Sequence, residues 1–435
     1  MEYACIAASI HRTPLFPRLK TLAINSGGTQ ALQSLMPLLQ PELREITLVI
    51  HDASDWIILL FMRAILQRCT HLSRISAHFG YNNREASDDV HLVASELEDL
   101  VKLLPHLESL TLPPNVVLHP AVWTAAGAQP ELRELGWIPG DADVGDYKPR
   151  SQEPSGSPPK FASGLFQGLR SLSLLIHHKS ASLLFSDPTP SAIEDLALEL
   201  VGDPGVRQFT NFLSLLAQSA QTLPGLDLTC RASLAIGRKH LQPIFMHQLL
   251  RLHVRLDLAP TLSDEDLHAI AQSIPGITQL SLTPDLVFIP PAFLPTATLK
   301  ALESFAEFCP MLTELSLWLD AGSNCSDGQP PPSQHVFKHL RRLNFGWSPC
   351  PNPLFAAHYI CSVIGTCDLE IVSEPSSSPR SAPSPILTKR QLAKKKQWEQ
   401  VSGFVSIARV LYAKIVDLNK QMEELRRSLR GRQGP

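Results

Sequence analysis

The chain reads as an α/β solenoid, a curved parallel sheet with outer helices, followed by a C-terminal coiled-coil-like helix. Three observations predict this architecture. Twelve hexapeptides carry apolar residues at their first, fourth and sixth places, helix-period segments join them, and the apolar spacing changes to alternating threes and fours after residue 400.

The hexapeptides are LKTLAI at Leu19, LREITL at Leu43, LSRISA at Leu72, LESLTL at Leu107, LRELGW at Leu132 and LRSLSL at Leu169, then IEDLAL at Ile193, LPGLDL at Leu223, LLRLHV at Leu249, ITQLSL at Ile277, LTELSL at Leu312 and LRRLNF at Leu340. Successive starts lie 24 to 37 residues apart, which straddles the period of leucine-rich repeats. Alternation between the fourth and sixth places is the pattern of a strand with one buried face, so Leu22 and Ile24 point inward while Thr21, Ala23 and Asn25 point to solvent.

Between the strands, the segments from Thr29, Ser54, Asp88 and Ser263 have helical periodicity, and the last two open with a cap-forming residue and an acidic first turn. Several helices run into a proline just before the next strand, at Pro105, Pro275 and Pro310, where a helix cannot easily continue. Strand, turn, helix and turn in repetition give a leucine-rich-repeat solenoid over 1–372, with about twelve irregular units that each pack on their neighbours. A Pro/Ser-rich linker over 373–387 and a basic segment with heptad helix over 388–432 complete the chain.

On these hexapeptides, roughly residues 16 to 372, the chain resembles the irregular leucine-rich-repeat region of fungal F-box proteins, ribonuclease-inhibitor-like in its helical units. Only LESLTLPPNVV, with Asn115, matches the family's full pattern; other units place Gly27, His51, Gly80, Asp257 or Asp285 where an Asn or Cys is usual. An F-box needs more helical sequence than the fifteen residues that precede Phe16, so the F-box itself is expected to be missing. The resemblance implies the substrate-recognition half of a ubiquitin-ligase receptor. It favours binding of a protein partner over ubiquitin transfer.

Formal net charge is −3, unevenly placed. Residues 388–435 hold 12 Lys or Arg against 4 acids, and the rest of the chain 26 against 37. An acidic body argues against a nucleic-acid groove along it, because phosphate binding requires clustered positive charge. The eight Cys include no C-x-x-C pair and read as small buried hydrophobes of a reducing compartment. The first residues do not read as a secretory signal, so Asn324-Cys325-Ser326 is expected to be an idle glycosylation pattern. The most apolar run, Trp56 to Phe61, falls far short of the ~20 residues a bilayer requires. These features predict an intracellular protein, cytoplasmic or nuclear, without a membrane partner.

Two repeat intervals are stretched by polar, Pro-rich inserts, Pro139 to Lys160 and Ala321 to Gln334, which lack the apolar content to fold alone. After the linker, Val401, Phe404, Ala408, Leu411, Ile415, Leu418, Met422, Leu425 and Leu429 form a heptad seam. Two roles fit it: self-association or pairing with a partner helix, and a cap folded back on the last repeat. Val405, Ile407 and Tyr412 widen the apolar stripe in its first half, which favours a bundle or docking over a plain dimer. The basic run TKRQLAKKKQ before the seam is similar to the basic region of leucine-zipper transcription factors, so a nuclear coiled-coil protein contacting DNA through its basic tail is the alternative reading. A solvated helix end explains the run more simply, because the base-contacting Asn of that motif is missing and Gly403 interrupts the seam.

No constellation for catalysis stands out: no phosphate loop, no G-x-S-x-G, no H-E-x-x-H and no dinucleotide fingerprint. His177 and His178 read as an ordinary turn rather than metal ligands. A non-enzymatic scaffold is expected, without cofactor or metal. Its candidate partner-binding residues are those that strand alternation places on the concave face: Asp195, Glu199, Asp227, Arg251, His253, Arg255, Gln279, Glu314, Trp318, Arg342 and Asn344, with Thr283 beside them. Acidic strands, a basic strand and an exposed Trp suit protein recognition, where Arg and Trp often dominate affinity.

Overall fold

A computed structural model of the chain describes residues 16, 18–26, 29–50, 55–79, 87–137, 159–190, 192–230, 232, 234, 236–246, 248–257, 261–284, 294–322, 335–364, 368–372 and 389–432. Most of both inserts, the linker, and Gly27, His51, Gly80 and Asp285 lie outside the described residues, as do the side chains of Tyr412, Ile415, Leu425 and Leu429. The chain divides into two compact units, 1–231 with 379–383, and 232–378 with 384–435.

In the first unit, each of the first eight hexapeptides becomes a strand: β1 (Thr21–Ser26), β2 (Glu45–Ile50), β3 (Arg74–Phe79), β4 (Ser109–Thr111), β5 (Glu134–Gly136), β6 (Ser171–His177), β7 (Asp195–Val201) and β8 (Gly225–Cys230). They pair in parallel and in chain order. Their fourth-place residues stand in one register: Leu22, Ile46, Ile75, Leu110, Leu135, Leu172, Leu196 and Leu226. All are buried, so each leucine packs on its counterparts in the adjoining repeats. Just before the strands, the amides of Arg44, Ser73, Glu108, Arg133, Arg170 and Glu194 each donate to the carbonyl at the same place one repeat back, at 2.7–2.9 Å. These amides are thus paired before the ladder begins.

The helices form the other layer. Asp55–Arg68 packs on Ser87–Leu103, which packs on Pro120–Gly127, and His178–Leu184 packs on Val206–Ser219. Between β5 and β6 the described residues hold no helix, and an aromatic wedge takes that place. Trp123 meets Phe166 edge-on at 4.8 Å and Phe161 at 5.5 Å, and its Nε1 donates to the Lys160 carbonyl at 3.1 Å. Phe166 occupies the left-handed region at φ 59°, which a bulky residue tolerates only where packing holds it there.

The second unit repeats the plan with β9 (Arg251–Leu256), β10 (Gln279–Pro284), β11 (Glu314–Leu317), β12 (Arg342–Asn344) and β13 (Glu370–Val372), again parallel in chain order. Leu252, Leu280, Leu315, Leu343 and Ile371 continue the register rule. Strand β13 has no counterpart among the twelve hexapeptides, because Asp368 stands where a repeat would carry its first leucine. Helix Asp264–Ser273 starts as its sequence predicts: Ser263 Oγ accepts from the Asp266 amide and Asp266 Oδ2 from the Ser263 amide, both at 3.2 Å. Such a capping box is worth about 0.5–2 kcal/mol. The turns at Pro105, Pro275 and Pro310 lie between helix and strand as expected.

The terminal helix, Lys389–Arg432, docks its first half on the last repeats of this unit. Trp398, Val401 and Val405 are buried. The Trp398 ring stacks on Phe345 with centroids 4.2 Å apart, and its Nε1 donates to the Ser348 carbonyl at 2.9 Å. Lys394 Nζ donates to the Trp347 carbonyl at 2.7 Å, and Arg409 Nη2 lies 2.7 Å from Asp368 Oδ1. Beneath it runs helix Pro353–Ile364. The docked half therefore covers the Leu and Phe interior of the final repeats, beyond which the described residues hold no further strand.

Candidate protein-binding face

In a strand packed on helices by one face, the other face presents every second residue. In the first unit the middle row of that face is made of small residues: Ala23, Thr47, Ser76, Thr111, Gly136, Ser173 and Ala197 stand in register, and the row ends at Asp227. Asp195 and Glu199 flank it on β7, two residues apart from Ala197 on either side, which faces Asp227 on β8. All three acids are half-buried. The sequence-predicted acids are thus brought onto one face of adjacent strands.

The second unit presents a row of polar side chains at the first strand position. Arg251 faces Gln279, Gln279 faces Glu314, Glu314 faces Arg342 and Arg342 faces Glu370. Gln279 Nε2 donates to Glu314 Oε1 at 3.3 Å, and Arg342 Nε lies 3.9 Å from Glu370 Oε2. Arg251 and Arg342 are exposed, with His253 and Arg255 half-buried along β9. Beside this row lies an open groove of about 610 Å³ lined by Lys338, His339, Leu340, Arg341, Asp368, Leu369 and Glu370. Glu370 and the groove escape the sequence reading because Glu370 lies in β13 and one wall of the groove is the segment leading into that strand; the alternation of Asp368 and Glu370 with Leu369 and Ile371 is the signal that could have found them.

Three expected positions differ. Trp318 is 8 % exposed and Asn344 2 %, rather than open to solvent, and Thr283 is also buried. The alternation that placed Trp318 outward holds only inside a ladder, and β11 ends at Leu317. Beyond it the chain turns toward the next repeat, where the Leu319 amide donates to Ser348 Oγ at 3.0 Å. Asn344 Oδ1 accepts from the Gly346 amide at 2.9 Å, closing a turn in which Gly346 takes φ +50°, a conformation glycine adopts without strain. Ser281 Oγ and Thr283 Oγ1 lie 3.3 Å apart, within hydrogen-bond reach of each other.

Elsewhere the described residues gather no three His, Cys, Asp or Glu side chains that could hold a metal ion. His177 ends β6 and His178 opens the helix that follows, with rings 4.4 Å apart, and burial with the neighbouring His177 holds His178 below its usual pKa. Burial pushes the thiols of Cys69 and Cys309 up to about 12, so neither is a nucleophile at neutral pH. No helix among the described residues is long and apolar enough to cross a membrane. Of the basic run before the seam, Lys394 is bound to the body.

No family model matches the chain, and no curated protein matches it. Among solved structures it is similar to a chain of the Rad7 and Elc1 complex of yeast, at 12 % identity over 82 % of this chain and 79 % of that one, with a TM-score of 0.42. It is also similar to the leucine-rich repeat-containing protein LegL7 from Legionella pneumophila, at 11 % identity over 88 % and 97 %, with a TM-score of 0.34.

Proposed function

We propose that the protein is a non-enzymatic scaffold that binds a protein partner on the helix-free strand face, a role like that of the substrate-recognition half of an F-box receptor. The observation that carries this reading is the in-register row Arg251–Gln279–Glu314–Arg342–Glu370. Cations, acids and an amide alternate along one line, on strands that fix the spacing of their backbones before binding and so lower the ordering cost. A row of both signs fits another protein's mixed surface better than a nucleic-acid backbone, which asks for cations alone. Arginines at the centre of such a face are frequent affinity hot spots.

The test is a charge-matched comparison. Arg251→Glu/Arg255→Glu should cut the proteins that co-purify with the full chain by about 10-fold or more. Lys239→Glu/Lys300→Glu, at exposed positions on and beside the helices, should leave them unchanged. Equal retention by both variants removes the strand face from the function. Tight, salt-dependent binding of duplex DNA by the full chain would favour the basic-tail reading instead.

A further inference from the structure

We propose that the undocked face of the terminal helix pairs with the same face of a second copy of this chain, independently of the strand face.

The helix runs 44 residues, about 66 Å at 1.5 Å per residue. Its body-facing side chains, Trp398, Val401 and Val405, are 0–2 % exposed. A second set stays about half in solvent: Phe404, Ile407, Leu411, Leu418 and Met422 are 41, 60, 54, 58 and 50 % exposed. At about 100° per residue the two sets lie on arcs roughly 120° apart around the helix. The first arc is satisfied by the last repeat. The second leaves five large apolar side chains in water along about 27 Å, which on a monomer marks an interaction site.

Two features commit the occupant to a second copy. The stripe keeps the three-four spacing that a facing helix of the same period fills knobs into holes, and by sequence the spacing continues to Leu429. In parallel self-pairing the flanking heptad positions set Lys414 opposite Asn419 of the second copy, and Gln421 opposite its Arg426. Each cation then meets a neutral polar side chain, and no like charges oppose one another. Because the two arcs diverge, pairing leaves the docked arc in place.

Sedimentation of the full chain over about 1–100 µM measures this, with Leu411→Glu/Leu418→Glu as the disrupting variant. Both leucines are half-exposed, so the variant keeps its fold, verified by an unchanged circular dichroism spectrum. The wild type should sediment as a dimer, and the variant should associate at least about 100-fold more weakly. A Leu411→Lys/Leu418→Lys variant, also monomeric alone, should form a dimer when mixed with the glutamate variant. A wild type that stays monomeric throughout this range overturns the proposal, as does a glutamate variant that still dimerises. Neither result touches the strand-face reading, which is scored by co-purification.

Discussion

The two halves of the terminal helix share one apolar spacing and have opposite environments. The side chains of Trp398, Val401 and Val405 have lost nearly all their solvent contact; those of Leu411, Leu418 and Met422 have kept about half. The difference is set by the surface beneath it. Phe345 and the Trp347–Ser348 carbonyls offer a ring to stack on and two acceptors for Lys394 and Trp398, and Asp368 offers a charge to Arg409. A periodic stripe is thus a capacity to pack, and the neighbour that satisfies it has to be found in three dimensions.

The sharpest break in the comparison is Trp398→Ala. Removing a fully buried indole, its stack and its hydrogen bond should cost the second unit about 3–5 kcal/mol in denaturant unfolding followed by circular dichroism. Cys361, on the helix beneath, reports the same event. Burial raises its thiol pKa, partly offset by Arg409, so alkylation of Cys361 read by mass spectrometry should speed up when the docked half loosens. Unchanged stability and labelling would mean that the first half does not cap the unit.

A middle-sized effect comes from Tyr359 in the supporting helix, whose hydroxyl donates to Glu303 Oε1. Burial first, and then the Glu303 carboxylate, push the Tyr359 pKa well above its usual value. The folded state thus favours the neutral phenol, a contribution fully present below the unfolded pKa of about 10 and lost as pH rises beyond it. Tyr359→Phe should cost about 1 kcal/mol at neutral pH, and the gap to wild type should close above about pH 10. A gap that persists in alkali would remove the phenol from the account.

The smallest effect belongs to the undocked half. Leu418→Ala should change the unfolding free energy of dilute protein by less than about 0.5 kcal/mol, and should leave Cys361 labelling as in wild type. A loss as large as that from Trp398 would show that Leu418 also packs on its own body.

Much of the fold was legible because a leucine-rich unit advertises itself locally. Each of the twelve hexapeptides forms a strand, and their fourth-place residues share one register within each unit. What escaped has specific causes. Strand β13 lacks its leading leucine, since Asp368 lies exposed at the end of the array where no further repeat demands an apolar residue. Trp398 continues the spacing of Val401 and Val405 one step back, inside a run that its lysines mark as solvated. On the strand face, Arg251, His253 and Arg255 fall where alternation puts them, whereas Trp318 and Asn344 lie at strand ends, where the chain turns and alternation stops applying.

The amino-acid order by itself determined the strands, their inward faces, the helices between them and the existence of a long terminal helix, because each depends on neighbours a few residues away. Tertiary structure alone decided which arc of that helix is spent on the body and which is left over. Both arcs are apolar, and the choice turns on residues such as Ser348, 50 positions away from Trp398, that no local period encodes.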